Sequence, residues 1–208
     1  MTILLKSPSR RNFNRLISAP ILLGALPILG ACQTTESANV PALTRPGPTL
    51  NLGVSSLDII VDYTAPKLPP NIDHEYNPSP ATQLTQWAES KLAPSADKGN
   101  LLVSITKASM QETEITGEDT LSSLFTNEQK LKVVVDFEGI FSFSHPTDNK
   151  SATLTVTVSA QSSISDNVSP DEAQAIRQRV VREALGKFDK ELRRQLSGIT
   201  ENGWPVIN

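Results

Sequence analysis

The sequence predicts an α+β fold: a two-layer sandwich with two helices on one face of a four-stranded mixed sheet. Three observations carry this. Four segments alternate apolar and polar residues with the period of a strand. Two others carry a Ser-Pro start followed by apolar residues at helical spacing. Their order is strand, helix, strand, strand, strand, helix, and two amphipathic helices can cover only one face of such a sheet.

The first strand begins at Leu57, with Leu57, Ile59, Val61 and Tyr63 alternating against Asp58, Ile60, Asp62 and Thr64. An irregular stretch from Ala65 to Asn77 follows, broken by Pro66, Pro69 and Pro70. Ser79 is placed as an N-cap with Pro80 at the first helical position. Leu84, Trp87, Ala88 and Leu92 then share one helical face, and Pro94 is expected to end the helix. The second strand runs from Leu101 to about Glu112, with Leu101, Val103 and Ile105 on one face. In the third, Leu131, Val133, Val135, Phe137, Phe141 and Phe143 line one side, with Gly139 in the same register. A turn from His145 to Lys150 leads to the fourth strand. There Ala152, Leu154, Val156, Val158 and Ala160 oppose Thr153, Thr155, Thr157, Ser159 and Gln161, the signature of a sheet covered on one side.

The last element is the clearest helix. Ser169, Pro170 and Glu172 form a capping box. Ile176, Val180, Ala184, Phe188, Leu192 and Ile199 follow as a stripe, widened by Leu185 and Leu196. Its basic residues alternate with Glu183, Asp189 and Glu191, which reads as a solvated face and not as a nucleic-acid surface. The first and second strands, joined through a helix, are expected to be parallel, and the remaining pairs antiparallel.

Residues 1–31 are of a different kind. They carry Lys6, Arg10, Arg11 and Arg15 and no acid, then an apolar run from Leu16 to Ala31. That run is about 16 residues and contains Pro20 and Pro27, whereas a spanning helix needs roughly 20 apolar residues. A signal peptide fits better. The sequence Leu29-Gly30-Ala31-Cys32 at its end resembles the bacterial lipobox. The resemblance implies that Leu29, Gly30 and Ala31 are read by a signal peptidase. It implies equally that Cys32 becomes the first mature residue and carries a diacylglycerol and an N-acyl chain. Two or more chains anchor stably where one does not. Gln33, by resemblance to the lipoprotein sorting rule, favours the outer membrane, on its periplasmic face. The expected organisation is a signal peptide over 1–31, a flexible tether over 32–56 and one periplasmic domain over 57–208.

The full chain of 208 residues has 19 Lys and Arg against 22 Asp and Glu; without residues 1–31 the balance is 15 against 22, a net −7. An acidic chain is a poor nucleic-acid binder, since phosphate contacts need clustered cations. One Cys excludes an internal disulfide or a cysteine zinc cluster, and two His leave little for a metal site or triad. No phosphate-binding, nucleophile-elbow or zinc-protease motif is present. No cofactor other than the lipid is expected.

Four segments remain as site candidates. His74, between Asp73 and Glu75, could act as a base; the competing reading is a loop histidine packed under the first helix. His145, before Pro146, reads as exposed turn chemistry. Asp136 and Glu138 share one strand face and are expected to point to water beside the threonine ladder. The connection from Ile115 to Lys130 is far longer than the usual hairpin loop of about 2–5 residues. Its Leu121, Leu124 and Phe125 fit either a short helix capping the sheet or an exposed tip that docks a partner or lipid; the tail Gly203-Trp204-Pro205-Val206-Ile207 raises the same question.

Lipobox, tether and element order together resemble small outer-membrane lipoproteins of envelope transport. Two families come nearest: the lipopolysaccharide-assembly lipoproteins and the auxiliary lipoproteins of ABC-type transport systems. The likeness runs from Leu57 to Ile199 in topology, and only the lipobox is residue-specific. It implies a non-enzymatic accessory protein acting through contacts with an envelope protein partner. The alternatives are a binding module for lipopolysaccharide, phospholipid or peptidoglycan, and an enzyme using the His74 segment.

Overall fold

The computed structural model describes residues 46–115, 129–146 and 149–201. Its elements are β1 (Leu50–Leu52), β2 (Ser56–Val61), α1 (Pro80–Lys91), β3 (Leu92–Pro94), β4 (Asn100–Glu114), β5 (Gln129–His145), β6 (Lys150–Ser165) and α2 (Pro170–Glu201). The main sheet has the order β2-β4-β5-β6, with β2 parallel to β4 and the other pairs antiparallel. This is the expected α+β arrangement, with a small parallel pair, β1 and β3, added to it.

Strand periodicity builds the inner face. Leu101, Val103 and Ile105 of β4 are buried in alternation, as are Val133, Val135, Phe137, Phe141 and Phe143 of β5. A bulge between Ile105 and Lys107 then shifts the phase of β4 by one residue, so that Ala108 and Met110 face inward. α2 lays Val180, Val181, Ala184, Phe188, Leu192 and Leu196 against this face. The Phe188 ring is the hub. It meets Trp87 of α1 edge-on at 5.2 Å and Phe137 at 6.4 Å, and it lies tilted on Phe141 at 6.0 Å. Gly139 makes room for it, because a Cβ there would stand 2.9 Å from Phe188 Cζ.

Both helix starts follow from their caps. Thr82 N–H donates to Ser79 Oγ (3.2 Å) ahead of Pro80. At α2, Glu172 N–H donates to Ser169 Oγ (3.3 Å) while Ser169 N–H donates to Glu172 Oε2 (3.0 Å), a reciprocal box.

Two expectations change. α1 stops at Lys91, not at Pro94, and Leu92 leaves the helix with extended backbone to open β3. Pro94 disfavours helical backbone at Ala93, so the chain must straighten before it. What it straightens into is the partner of β1: Leu50 pairs with Leu92 and Leu52 with Pro94. Order therefore begins before Leu57. Leu50, Leu52 and Val54, all assigned by the sequence to the tether, are buried core residues. Gly47 N–H donates to the buried carboxylate of Asp189 (Oδ2, 2.8 Å), and Arg193 closes on the same carboxylate at 2.7 Å. Arg193 also donates to the carbonyl of Pro48. The strap from Pro46 to Val54 is thus fastened to α2 by one acid, one base and one glycine; a Cβ at Gly47 would stand 2.7 Å from the Arg193 guanidinium.

Candidate functional site

Cys32, the recognition residues Leu29, Gly30 and Ala31, the tip residues Leu121, Leu124 and Phe125, and the tail from Trp204 to Ile207 lie outside the described residues. What can be placed is the chemistry proposed around the histidines and carboxylates.

His74 sits in a short 3-10 turn, Asp73–Glu75, and is exposed. That exposure is partly backbone, since the side chain itself is 26% exposed. Its Nε2 stands 3.6 Å from Glu75 Oε1, a loose surface pair. Asp73 points the other way. It is 1% exposed and accepts a hydrogen bond from the Tyr63 hydroxyl (2.9 Å), which ties the segment after β2 to the turn. Burial first, and then this bond, push the Tyr63 phenol above its ordinary value. The three neighbours therefore do not converge on one substrate position. Among the described residues no group of three or more His, Cys, Asp or Glu side chains could hold a metal ion.

His145 is half-buried rather than exposed, because the ring lies over Gly99; a Cβ there would stand 2.8 Å from His145 Cδ2. Gly99 has φ +89°, a conformation suited to glycine. Asp136 and Glu138 do lie on the outer sheet face, but each is tied down. Lys107 Nζ reaches Asp136 Oδ2 at 2.9 Å. Thr106 and Thr157 donate to the two oxygens of Glu138 at 2.8 and 3.2 Å. They staple β4, β5 and β6 together.

The recess that sequence reasoning missed lies where the 72–78 segment meets the first turns of α2. Tyr76 forms its middle wall, with its hydroxyl donating to the Gln174 carbonyl (3.3 Å). On one side is a cleft of about 230 Å³ lined by Ile72, Glu75, Tyr76, Glu112, Gln174 and Arg177. On the other is a second cleft of about 230 Å³ lined by Tyr76, Asn77, Pro78, Gln83, Gln178 and Arg182. Arg177 grips Glu112 with two parallel bonds, Nε to Oε2 at 2.7 Å and Nη2 to Oε1 at 3.0 Å. The grip raises the Arg177 pKa, and burial raises that of Tyr76, so the phenol stays neutral and the guanidinium charged. Arg177 was assigned by the sequence to a solvated helix face; its partner lies 65 residues away, a distance no local pattern can bridge. Each cleft falls below the roughly 300–1,000 Å³ of a pocket for a drug-sized ligand. Hydroxyl, amide and guanidinium groups make both suited to a polar ligand.

No described helix is long and apolar enough to cross a membrane. No protein-family model matches the chain, and no curated protein matches it. Among solved structures, the rare lipoprotein B of Shewanella oneidensis is similar at 8% identity, with 71% of this chain and 98% of that chain covered and a TM-score of 0.40. A minor lipoprotein of Acinetobacter baumannii is similar at 16% identity, covering 76% of this chain and 98% of that one, with a TM-score of 0.36.

Proposed function

We propose that this chain is a lipid-anchored accessory protein of the Gram-negative outer membrane that assists envelope transport or assembly through protein contacts and catalyses nothing itself. One observation carries the reading. The box Leu29-Gly30-Ala31-Cys32 closes an apolar run that follows a basic start, and Gln33 stands next. Within the described domain, Asp136, Glu138 and Asp189 tie one segment to another. The test is mass spectrometry of the native N-terminus with membrane fractionation. A diacylated, N-acylated Cys32 in the outer-membrane fraction is expected, and Cys32→Ser should leave unacylated precursor. A mature chain starting elsewhere would overturn the reading, and Gln33→Asp should shift the protein to the inner membrane.

The paired clefts about Tyr76 favour a second reading, a binding module. Their amide and guanidinium lining suits the glycan or peptide of peptidoglycan better than an acyl chain. Soluble peptidoglycan fragments should perturb the NMR resonances of Tyr76 and Gln178, and Arg182→Ala should weaken the response. Unperturbed spectra would remove this reading and leave the first intact.

A further inference from the structure

Among the described residues β6 is an open edge of the main sheet, and it spans 16 residues. Edge strands of this length are normally blunted by charge, proline or a bulge, because their unpaired groups template pairing with another chain. From Ser151 to Ser165 there is no charged residue, no proline and no glycine. The blunting comes instead from α2. Lys187 Nζ donates to the Ser159 carbonyl (3.1 Å), and Gln195 Nε2 donates to the Thr155 carbonyl (3.0 Å). In an antiparallel ladder alternate residues direct both N–H and C=O to the same side. Thr157, midway between the two held carbonyls, therefore faces the open edge as well.

The edge is also self-complementary. About Thr157 the sequence is close to a palindrome: Val156 answers Val158, and Thr155 answers Ser159. Two copies set antiparallel about a two-fold axis at Thr157 would place Thr155 of each opposite Ser159 of the other. No like charges meet, and hydroxyl-bearing pairs lie on the exposed face. We propose that β6 is a strand-pairing surface for a second copy of this chain, and that Lys187 and Gln195 are guards that hold it closed.

Disulfide trapping in the native envelope tests this with the full-length protein. In the paired state Thr157 would face its own counterpart as a hydrogen-bonded pair, with Cα atoms about 5.5 Å apart, within disulfide range. The guards are removed by Lys187→Met and Gln195→Ala, with Glu183→Gln added because Lys187 also neutralises the buried Glu183 at 2.8 Å. Thr157→Cys should then give a disulfide-linked dimer at several-fold the yield seen with the guards intact. Thr153→Cys, whose counterpart would be Gln161, should stay monomeric. Gln195→Ala alone leaves the Glu183–Lys187 pair in place and should give an intermediate yield, which decides the matter if the triple variant fails to fold. Equal trapping at positions 153 and 157 would overturn the proposed register. Full trapping with the guards intact, or no gain on removing them, would overturn the guard role.

Discussion

The two faces of the main sheet are made from the same three long strands and are held in different ways. The inner face buries Phe137, Phe141, Phe143 and their neighbours against α2, with Phe188 wedged among four aromatic or small positions. Among the described residues no helix covers the outer face; Thr106, Lys107, Asp136, Glu138 and Thr157 link strand to strand by polar contacts. Closely packed apolar contacts lose energy steeply when a void opens, whereas solvated ion pairs gain little over water. Stability should therefore be concentrated on one side of a sheet whose two sides are equally regular.

Phe188→Ala is the sharpest way to break this asymmetry. Emptying the hub should cost about 3–5 kcal/mol, a large part of a domain stability of about 5–15 kcal/mol. A melting temperature that does not fall would show that the inner face does not depend on its hub. Gly139→Ala attacks the same contact from the opposite strand. The added Cβ meets a ring that Trp87, Phe137 and Phe141 prevent from moving aside, and a loss of about 1–3 kcal/mol is expected. Chemical denaturation should show that Phe188→Leu relieves part of the Gly139→Ala defect; strictly additive losses would contradict direct contact.

Arg177→Ala tests the end of the inner face. It leaves the Glu112 carboxylate, 17% exposed, without its bidentate partner, and about 1–3 kcal/mol should be lost in thermal unfolding. On the outer face the effect should be smaller. Lys107 is 44% exposed, so Lys107→Ala should change stability by less than about 1 kcal/mol. A loss there as large as at Arg177 would erase the distinction between the faces.

The solvent side of α2 gives the smallest effect and a pH signature. Arg194 and then Gln195 hold the Glu191 carboxyl down at about 2, from an ordinary value of 4.5. A depressed folded-state pKa contributes stability that is complete above the ordinary value and is lost as the pH falls toward 2. Because the site is open to water, the contribution should stay below about 1 kcal/mol. Melting curves of wild type and Glu191→Gln should differ at pH 6 and converge near pH 2; a constant gap would refute the linkage.

Much of this architecture was legible in the sequence because its causes are local. The period of two in Leu131 to Phe143 and in Ala152 to Gln161 determines which side chains face α2. The Ser79-Pro80 and Ser169-Pro170 starts determine where both helices begin, and a helix between two strands determines their parallel pairing. The resemblance of Leu29-Gly30-Ala31-Cys32 to a lipobox is local in the same way, four residues read in order, and these lie outside the described residues.

What only the tertiary structure decided involves groups far apart in the chain. Leu50 and Leu52 lie among prolines with no period of their own, and they became a strand because β3 supplied hydrogen bonds and Asp189 a clasp. The bulge after Ile105 answers to the partner strand, not to any turn residue in β4. Arg177 reads as one more surface cation until Glu112, from another element, meets it across the end of the sheet. An isolated helical stripe or strand alternation specifies which face is apolar, because that is a matter of backbone period. Which polar group meets which depends on bringing distant segments together, and the energy that selects those pairs exists only after the core has formed.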